Sequence, residues 1–409
     1  LNLLFTVGVL SALNATLTAA GIAGLVLTIG MAVDTNVIIF ERIKDELTHG
    51  KSYQQAVNDG YRRSLAPVLD GHITTLLTAI ILFYFGLGPV LGFATTQILG
   101  ILLSLFCGIL VSRLITDFYT NKNRHFNYFT NISRSIFKHA QYNFVKYRKV
   151  TYIISFIVLA LGIGAMFNGF KQGVEFSGGR SYIVKFPQAV KEQEVGDALQ
   201  KVFDRYPVIK TYGGPTQLDI TTDYMVEKAS PEADAEVQAK LFEGLKPFLP
   251  ANTTAAEFNT KYKQASKRVD PTISDDLKSG AKWATFWSLL AITLYILIRF
   301  RDWRYSLGTI VALLHDVLVT LAVFSFFKNI VPFPLEIDQH FIAAILTVIG
   351  FSMNDTVIVF DRVRENSHLM KGASKATIIN KSINDTLSRT IMTSVTVFLT
   401  ILVLFLVGG

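Results

Sequence analysis

Residues 30–43 read GMAVDTNVIIFERI, and residues 350–363 read GFSMNDTVIVFDRV. Both segments are apolar, both contain a carboxylate near the middle (Asp34 and Asp355), and both end in an acidic–basic pair. Glycine, valine, isoleucine, phenylalanine and arginine recur between them at an offset of 320 residues. Because the polar residues recur as well, chance similarity between two apolar helices explains the match poorly. The pattern predicts two parallel pseudo-repeats, and such halves usually meet at a functional site near the middle of a membrane.

The composition is that of a membrane protein. Of 409 residues, 50% are hydrophobic and 17% are charged, whereas soluble domains carry about 25% charged residues. This excludes a disordered or collagen-like chain and argues against an ordinary soluble enzyme. The single cysteine, Cys107, excludes an internal disulfide and a thiolate metal cluster. The sequence has no phosphate loop, HExxH motif or GxSxG elbow, so we expect no cofactor, no metal and no enzymatic activity.

Eight apolar segments are long enough to cross a bilayer, which takes about 20 residues. They lie at 20–40, 66–85, 90–116, 150–168, 281–300, 305–327, 341–360 and 388–407. A ninth segment, 1–13, is too short and starts without the charged leader of a signal peptide. The fold class predicted is therefore an all-α membrane bundle of two parallel pseudo-repeats.

Lysine and arginine concentrate in every second loop. These loops are 41–64, 117–149, 299–304 and 361–387. The short loops between the other spans hold only Lys328, and they are 14–19, 86–89 and 328–340. The positive-inside rule places the basic loops in the cytoplasm. The net charge of +8 is thereby explained by orientation in the lipid bilayer, and we expect no nucleic-acid partner.

Residues 169–280 are polar and charged, and the alternation of spans places them outside the cytoplasm. Alternating apolar residues predict strands at 181–186, 208–212 and 217–222, and helical periodicity predicts helices at 190–205 and 231–248. A last strand is expected but the pattern does not place it. This order predicts a small α+β domain of ferredoxin-like type, with an irregular loop region as the alternative.

Asp34 and Asp355 lie at membrane depth, and Asn36 and Asn354 extend each carboxylate into a small polar cluster. An ionised carboxylate at this depth costs at least about 2.5–3.5 kcal/mol. Each should therefore face a partner or a hydrated cavity, or carry a proton. We interpret these clusters as a proton or ion relay, and a static polar pair between two helices is the alternative.

Further polar residues are candidates for supporting roles. Arg389, followed by Thr390, lies near the start of span 388–407, where it either snorkels to the interface or forms a switchable ion pair with Asp355. His315 and Asp316 lie in the middle of span 305–327. A proton role and a static hydrogen-bonded pair are both open for them.

Two other polar features lie nearer the ends of their spans. Asp70 opens span 66–85, where we favour an interfacial polar cap. Glu41-Arg42 and Asp361-Arg362 lie where their helices leave the bilayer, and we interpret them as interface anchors.

Long motifs resemble the SecD and SecF export subunits of the resistance–nodulation–division superfamily. Segments 21–47, 56–76 and 88–101 resemble SecD, and segments 176–186, 269–284, 299–317, 350–366 and 386–394 resemble SecF, in order along nearly the whole chain. Two departures are clear. The family usually has Asp-x-Asn-Ile-Thr-Thr where this chain has His72 in the Asn position, and its glycine motif has Asp and Thr where this chain has Glu175 and Arg180.

The resemblance implies a domain organisation. It comprises a partial SecD-like transmembrane bundle at 1–118, a cytoplasmic basic linker at 119–148, a first SecF-like span at 149–168, the extracytoplasmic α+β domain at 169–280 and a SecF-like bundle at 281–409. It also implies that the chain is a fragment, without the N-terminal SecD part and the last span of a fused SecDF protein.

The resemblance further implies a function. It is that of an accessory subunit of the Sec machinery, driven by the proton motive force, in the bacterial cytoplasmic (inner) membrane. The family's essential carboxylates correspond to Asp34 and Asp355, and its functional arginine corresponds to Arg389. The implied partners are the SecYEG translocon, unfolded exported polypeptides and the proteins YajC and YidC. A proton-coupled small-molecule or lipid exporter of the same superfamily and a passive membrane-anchored assembly factor are the alternatives.

Overall fold

A computed structural model provides the structure of the chain. It describes residues 1–15, 17–86, 89–120, 124–129, 141–212, 214–228, 230–269, 271–328, 330–331 and 335–407. Much of the predicted linker 119–148 and the last two residues of the predicted bundle 281–409 lie outside the described residues.

Long helices make up most of the described chain. In order they are α1 (Asn2–Ala12), α2 (Ala19–Thr48), α3 (Tyr53–Phe85), α4 (Pro89–Leu105), α5 (Ser112–Thr120), α6 (Arg148–Asn168), α7 (Glu192–Phe203), α8 (Pro231–Leu245), α9 (Pro271–Phe300), α10 (Trp303–Phe327), α11 (Gln339–Leu369) and α12 (Lys375–Val407). A π-helical turn, Phe106–Val111, joins α4 to α5. Single helical turns lie at Val174–Ser177, Lys246–Phe248, Ala255–Glu257 and Phe258–Tyr262.

Eight helices of the described chain are long and apolar enough to cross a membrane. This confirms the predicted spans and the mostly helical fold class. The helix α1 is apolar but shorter.

Several helices begin well before the apolar segment that predicts them. The helix α3 starts at Tyr53 and α12 at Lys375, whereas their apolar segments start at 66 and 388. A side-chain cap supports the early start of α12, because Ser374 Oγ accepts a hydrogen bond from the backbone N–H of Thr377 at 3.2 Å. Residues expected near helix starts therefore lie deep within helices.

The chain divides into two compact units. The first is Leu1–Gly164, Ala284–Ala322 and Ala343–Leu404, and the second is Ala165–Trp283, Val323–Ile342 and Phe405–Gly409. In the first unit, α2 and α3 bury a cluster of aliphatic side chains together with Ile358 of α11. This packing joins the two copies of the repeated segment, because residues 38, 39 and 43 follow Asp34 and residue 358 follows Asp355.

The second unit contains a four-stranded antiparallel sheet. Its strands are β2 (Gly179–Lys185), β3 (Val208–Thr211), β4 (Gln217–Thr222) and β5 (Lys263–Val269), in the spatial order β3-β4-β2-β5. A separate parallel pair joins β1 (Lys171–Gln172) to β6 (Glu336–Ile337). The three predicted strands agree with β2, β3 and β4 to within two residues at either end. The strand that the pattern did not place is β5.

One hydrophobic core lies between this sheet and the helices α7 and α8. Every second residue of β2 and β4 enters it, and so does one stripe of each helix. The largest fully buried side chains include Phe203, Leu218, Ile220, Leu241 and Leu245. Because both helices contribute to the same core, they cover the same face of the sheet.

Arg180 of β2 forms hydrogen bonds with residues between β4 and α8. Its guanidinium lies 2.7 Å from Asp234 and donates to the carbonyls of Tyr224, Met225 and Lys228 at 3.1, 2.9 and 2.8 Å. The side chain is buried. A threonine, which the SecF pattern has at this position, is too short to make these contacts, so the departure has a structural role.

Replacing Arg180 by methionine should loosen this domain. The change removes a charged donor from one carboxylate and three carbonyls, and hydrogen bonds to charged groups contribute about 1.5–3 kcal/mol. We expect the opening free energy of β2 and β4 to fall by about this amount in native-state hydrogen exchange. Lys185→Met, on the exposed end of the same strand, is the control. Equal protection in the two variants would contradict the prediction.

Candidate functional site

Three buried polar side chains from three helices meet inside the first unit. Asn354 Nδ2 of α11 donates to Asp34 Oδ2 of α2 at 2.6 Å, and Arg389 Nη2 of α12 lies 3.5 Å from Asp34 Oδ1. Asp34, Asn354 and Arg389 are 5%, 8% and 6% exposed. The structure thus brings together Asp34 of segment 30–43 and Asn354 of segment 350–363.

Arg389 pairs with Asp34 and not, as one alternative held, with Asp355. Both residues are described, and no ion pair within 4 Å joins Arg389 to Asp355. Adjacent residues on a helix point about 100° apart. Asn354 therefore faces Asp34, while the neighbouring Asp355 carboxylate points to another side of α11. The snorkelling alternative is also wrong, because Arg389 is buried mid-helix.

The cluster retains unused hydrogen-bonding capacity. Among the described atoms, Arg389 Nε and Nη1 and Asn354 Oδ1 have no hydrogen-bond partner. Buried polar groups without partners are uncommon and call for an explanation. Two donors of the Arg389 guanidinium are thus open inside the site.

Gly71 is a residue of the site that sequence reasoning missed. A Cβ at this position of α3 would lie 2.0 Å from Asn354 Oδ1. The missing side chain lets Asn354 reach Asp34. The sequence shows a glycine within the Asp70-Gly71-His72 motif. The contact with Asn354 explains why a larger residue would not fit at this position.

Asp70 is a buried carboxylate that is ion-paired with another helix. Arg299 Nε of α9 lies 2.8 Å from both of its carboxylate oxygens, Arg299 Nη2 lies 2.7 Å from Oδ2, and the Tyr295 hydroxyl donates to Oδ1 at 2.6 Å. Asp70 is 5% exposed. Because α3 starts at Tyr53, Asp70 lies within the helix, where it needs a partner from another element.

The remaining predicted residues lie outside the Asp34 cluster. Asp316 accepts a hydrogen bond from Ser352 Oγ at 2.5 Å, and His315 Nδ1 lies 3.4 Å from Asp316. Asn36 donates to the Ala32 carbonyl of its own helix at 3.0 Å. Thr390 adjoins Arg389, and its carbonyl accepts from Thr393 at 3.0 Å. None of the hydrogen bonds found among the described residues joins one of these side chains to Asp34.

Charged residues at the ends of α2 and α11 pair across the repeated segments. Arg42 lies 3.0 Å from Glu365, and Arg362 lies 4.0 Å from Asp45. The arginine of each predicted interface anchor therefore pairs with an acidic residue on the other helix. Together with Arg389 they line a cavity of about 980 Å³, which gives the buried cluster a polar approach from this end.

These features define a polytopic membrane protein with ionisable groups in its interior. Residues 1–122 and 251–409 match the family described as protein export membrane protein SecD/SecF, C-terminal. The chain belongs to this family. It is 33% identical over 414 residues to the protein translocase subunit SecDF of Brucella abortus, an alignment that covers 100% of this chain and 51% of that protein.

A second relative and a solved structure support the same family assignment. The protein translocase subunit SecF of Rhodothermus marinus is 40% identical over 275 residues, covering 67% of this chain and 84% of that protein. The crystal structure of SecDF from Thermus thermophilus, titled a translocon-associated membrane protein, has a TM-score of 0.83 and 34% identity, and the match covers 100% of this chain and 53% of that one. The chain therefore spans about half the length of the SecDF proteins it matches.

Gly71→Ala should disturb the buried cluster. The added methyl would overlap Asn354 Oδ1, so the amide must move away from Asp34, and overpacking of this kind costs about 1–3 kcal/mol. We expect a lower unfolding temperature for the purified protein in detergent. Gly8→Ala, whose methyl would meet nothing within 4 Å, is the matched control.

A second substitution tests the cause. Gly71→Ala combined with Asn354→Ser removes the overlapping amide, so part of the lost stability should return. A Gly71→Ala protein that unfolds at the same temperature as Gly8→Ala would show that Asn354 is not held against Gly71.

Proposed function

We propose that the chain is the membrane-embedded part of a subunit that uses the proton motive force to assist polypeptide export by the Sec machinery. The observation that carries this proposal is the buried Asp34–Asn354–Arg389 cluster, built from both copies of the repeated segment, with Asp355 beside it. SecYEG, unfolded polypeptides, YajC and YidC are the proposed partners of the complete protein.

The charge balance of the cluster favours proton binding. The cluster holds two carboxylates but the one guanidinium of Arg389, which is ion-paired with Asp34 at 3.5 Å. Desolvation and a neighbouring like charge both disfavour a second ionised carboxylate. Asp355, which forms no ion pair with Arg389 within 4 Å, is thus the better placed of the two to carry a proton.

Proton transfer between the two carboxylates would exchange the partner of Arg389. When Asp34 gains a proton, its attraction for the guanidinium weakens, and Asp355, once ionised, attracts it. Arg389 Nε and Nη1, which have no partner among the described atoms, are the donors for that second pairing. The exchange shifts α12 relative to α2 and α11, which is a two-state packing change that protons bias.

The membrane potential supplies enough energy for such a change. One charge crossing 100 mV is worth about 2.3 kcal/mol. Conformational changes between states that differ by a few kcal/mol are thus within reach of one or two protons. The cavity lined by Arg42, Arg362 and Arg389 is the proposed cytoplasmic exit, because the basic loops lie on this side.

The structure also supports two finer parts of the proposal. The pairs Arg42–Glu365 and Arg362–Asp45 are reciprocal at the offset of 320 residues, as expected when two pseudo-repeats meet about a local two-fold axis. The order β3-β4-β2-β5 with two helices on one face is that of a ferredoxin-like domain. We propose that this domain lies on the extracytoplasmic side.

The test uses the complete protein in cells depleted of the native subunit. Asp34→Asn and Asp355→Asn should each reduce the part of reporter export that a protonophore abolishes, about tenfold or more, since neither amide can carry a proton in exchange. Asp275→Asn is the matched control, because that side chain is 81% exposed at the start of α9.

The outcomes separate the proposal from its alternatives. Membrane levels of each variant are measured by immunoblot, so that a loss of export at normal abundance excludes a purely structural role. Normal protonophore-sensitive export by both amide variants would overturn the proposal and leave a passive assembly factor or an exporter of small molecules.

A further inference from the structure

Arg299 lies between two carboxylates that belong to different helices. Its Nη2 is 2.7 Å from Asp70 Oδ2 on α3 and 3.7 Å from Asp361 Oδ1 on α11. The Asp70 contact is the closer one and involves Nε as well, at 2.8 Å. A guanidinium has five N–H donors in a fixed fork, so Arg299 is able to serve either carboxylate.

Partial burial and short distances mean that a small helix shift can change which carboxylate Arg299 contacts. The side chains of Asp70, Arg299 and Asp361 are 7%, 21% and 23% exposed, so water compensates them poorly. A relative shift of about 1 Å would bring Asp361 within hydrogen-bonding distance of Arg299. Helix shifts of about 1–2 Å are typical of switching transitions.

Asp361 has a second cation, which completes a two-state arrangement. Arg364 Nη2 lies 2.7 Å from Asp361 Oδ1. The guanidinium carbons of Arg299 and Arg364 lie 5.5 and 5.4 Å from the ring centroid of Phe300. Asp361 can therefore exchange one arginine for another while both guanidinium groups remain near one aromatic ring.

Helices α3 and α11 connect these ion pairs to the candidate relay, and α9 follows the small domain along the chain. Asp70 adjoins Gly71, which packs on Asn354, and Asp361 lies on the same helix as Asp355, about 9 Å further along it. Arg299 lies near the last residue of α9, which begins at Pro271 shortly after β5 ends. The chain itself thus links Arg299 to the sheet.

We propose that Arg299 is a positioning residue that couples the relay to α9 by exchanging between Asp70 and Asp361. The inference rests on the proposed proton-driven function. When the protonation state of the Asp34–Asp355 site changes, α11 shifts, Asp361 approaches Arg299, and the hold of Asp70 on α9 loosens. The Arg299 end of α9 then moves.

A purely structural ion pair makes a different prediction. Replacing a buried ion pair by apolar residues of similar size is often neutral or stabilising, whereas removing one partner is costly. Asp70→Leu combined with Arg299→Met in the complete protein should therefore fold. If the pair exchanges partners, the apolar variant must fail in export, because it cannot exchange.

The experiment measures both properties in the complete protein. We expect the apolar double variant to unfold within a few degrees of the wild type in detergent and to lose protonophore-sensitive export about tenfold or more. Wild-type export by this folded variant would overturn the inference. Asp355→Asn is assayed in parallel: if it also exports normally, the proposed function fails, and if it alone is inactive, only the coupling role of Arg299 fails.

A second variant covers the case in which the double variant does not fold. Asp361→Asn preserves the buried Asp70–Arg299 pair and removes the second partner of Arg299, so it should fold and still lose export. Asp275→Asn, which removes an exposed carboxylate near the start of α9, is the control. Equal export by Asp361→Asn and Asp275→Asn would overturn the inference.

Discussion

A carboxylate enclosed by apolar helices needs a partner, and this requirement organises the centre of the first unit. Asp34 meets it through Arg389 at 3.5 Å and Asn354 at 2.6 Å. Moving a charged group out of water costs several kcal/mol unless it is paired and hydrogen-bonded. The helices α2, α11 and α12 are therefore held to one another by a contact that none of them could lose cheaply. Glycine at position 71 follows from the same constraint, because the amide must reach the carboxylate.

The same arrangement occurs at two levels of the bundle, with one arginine next to two carboxylates. Arg389 is paired with Asp34 while Asp355 stands nearby, and Arg299 is paired with Asp70 while Asp361 stands 3.7 Å away. In the proposed mechanism, each arginine exchanges between its two carboxylates when the charge of the site changes.

Apolar length and residue periodicity were enough to predict the eight spans, three of the four strands of the sheet and both of its helices. The fourth strand, β5, reads KQASKRV and has no apolar alternation, because it is an edge strand with mostly exposed residues. Asp70 and Arg389 were expected near membrane interfaces because the apolar segments begin only at 66 and 388. The first turns of α3 and α12 are polar and precede those segments. Contacts with other helices bury both residues, because Asp70 pairs with Arg299 of α9 and Arg389 pairs with Asp34 of α2.

The sequences of the repeated segments, 30–43 and 350–363, are enough to identify the two carboxylates and to place each one within an apolar helix. Those properties depend on hydrophobicity and helical rise, which are local. Which carboxylate holds Arg389, why residue 71 is glycine and why Arg299 lies between Asp70 and Asp361 depended on how the helices cross. A rotation of about 100° between neighbouring residues of a helix decides such contacts, and only the packed helices fix that rotation.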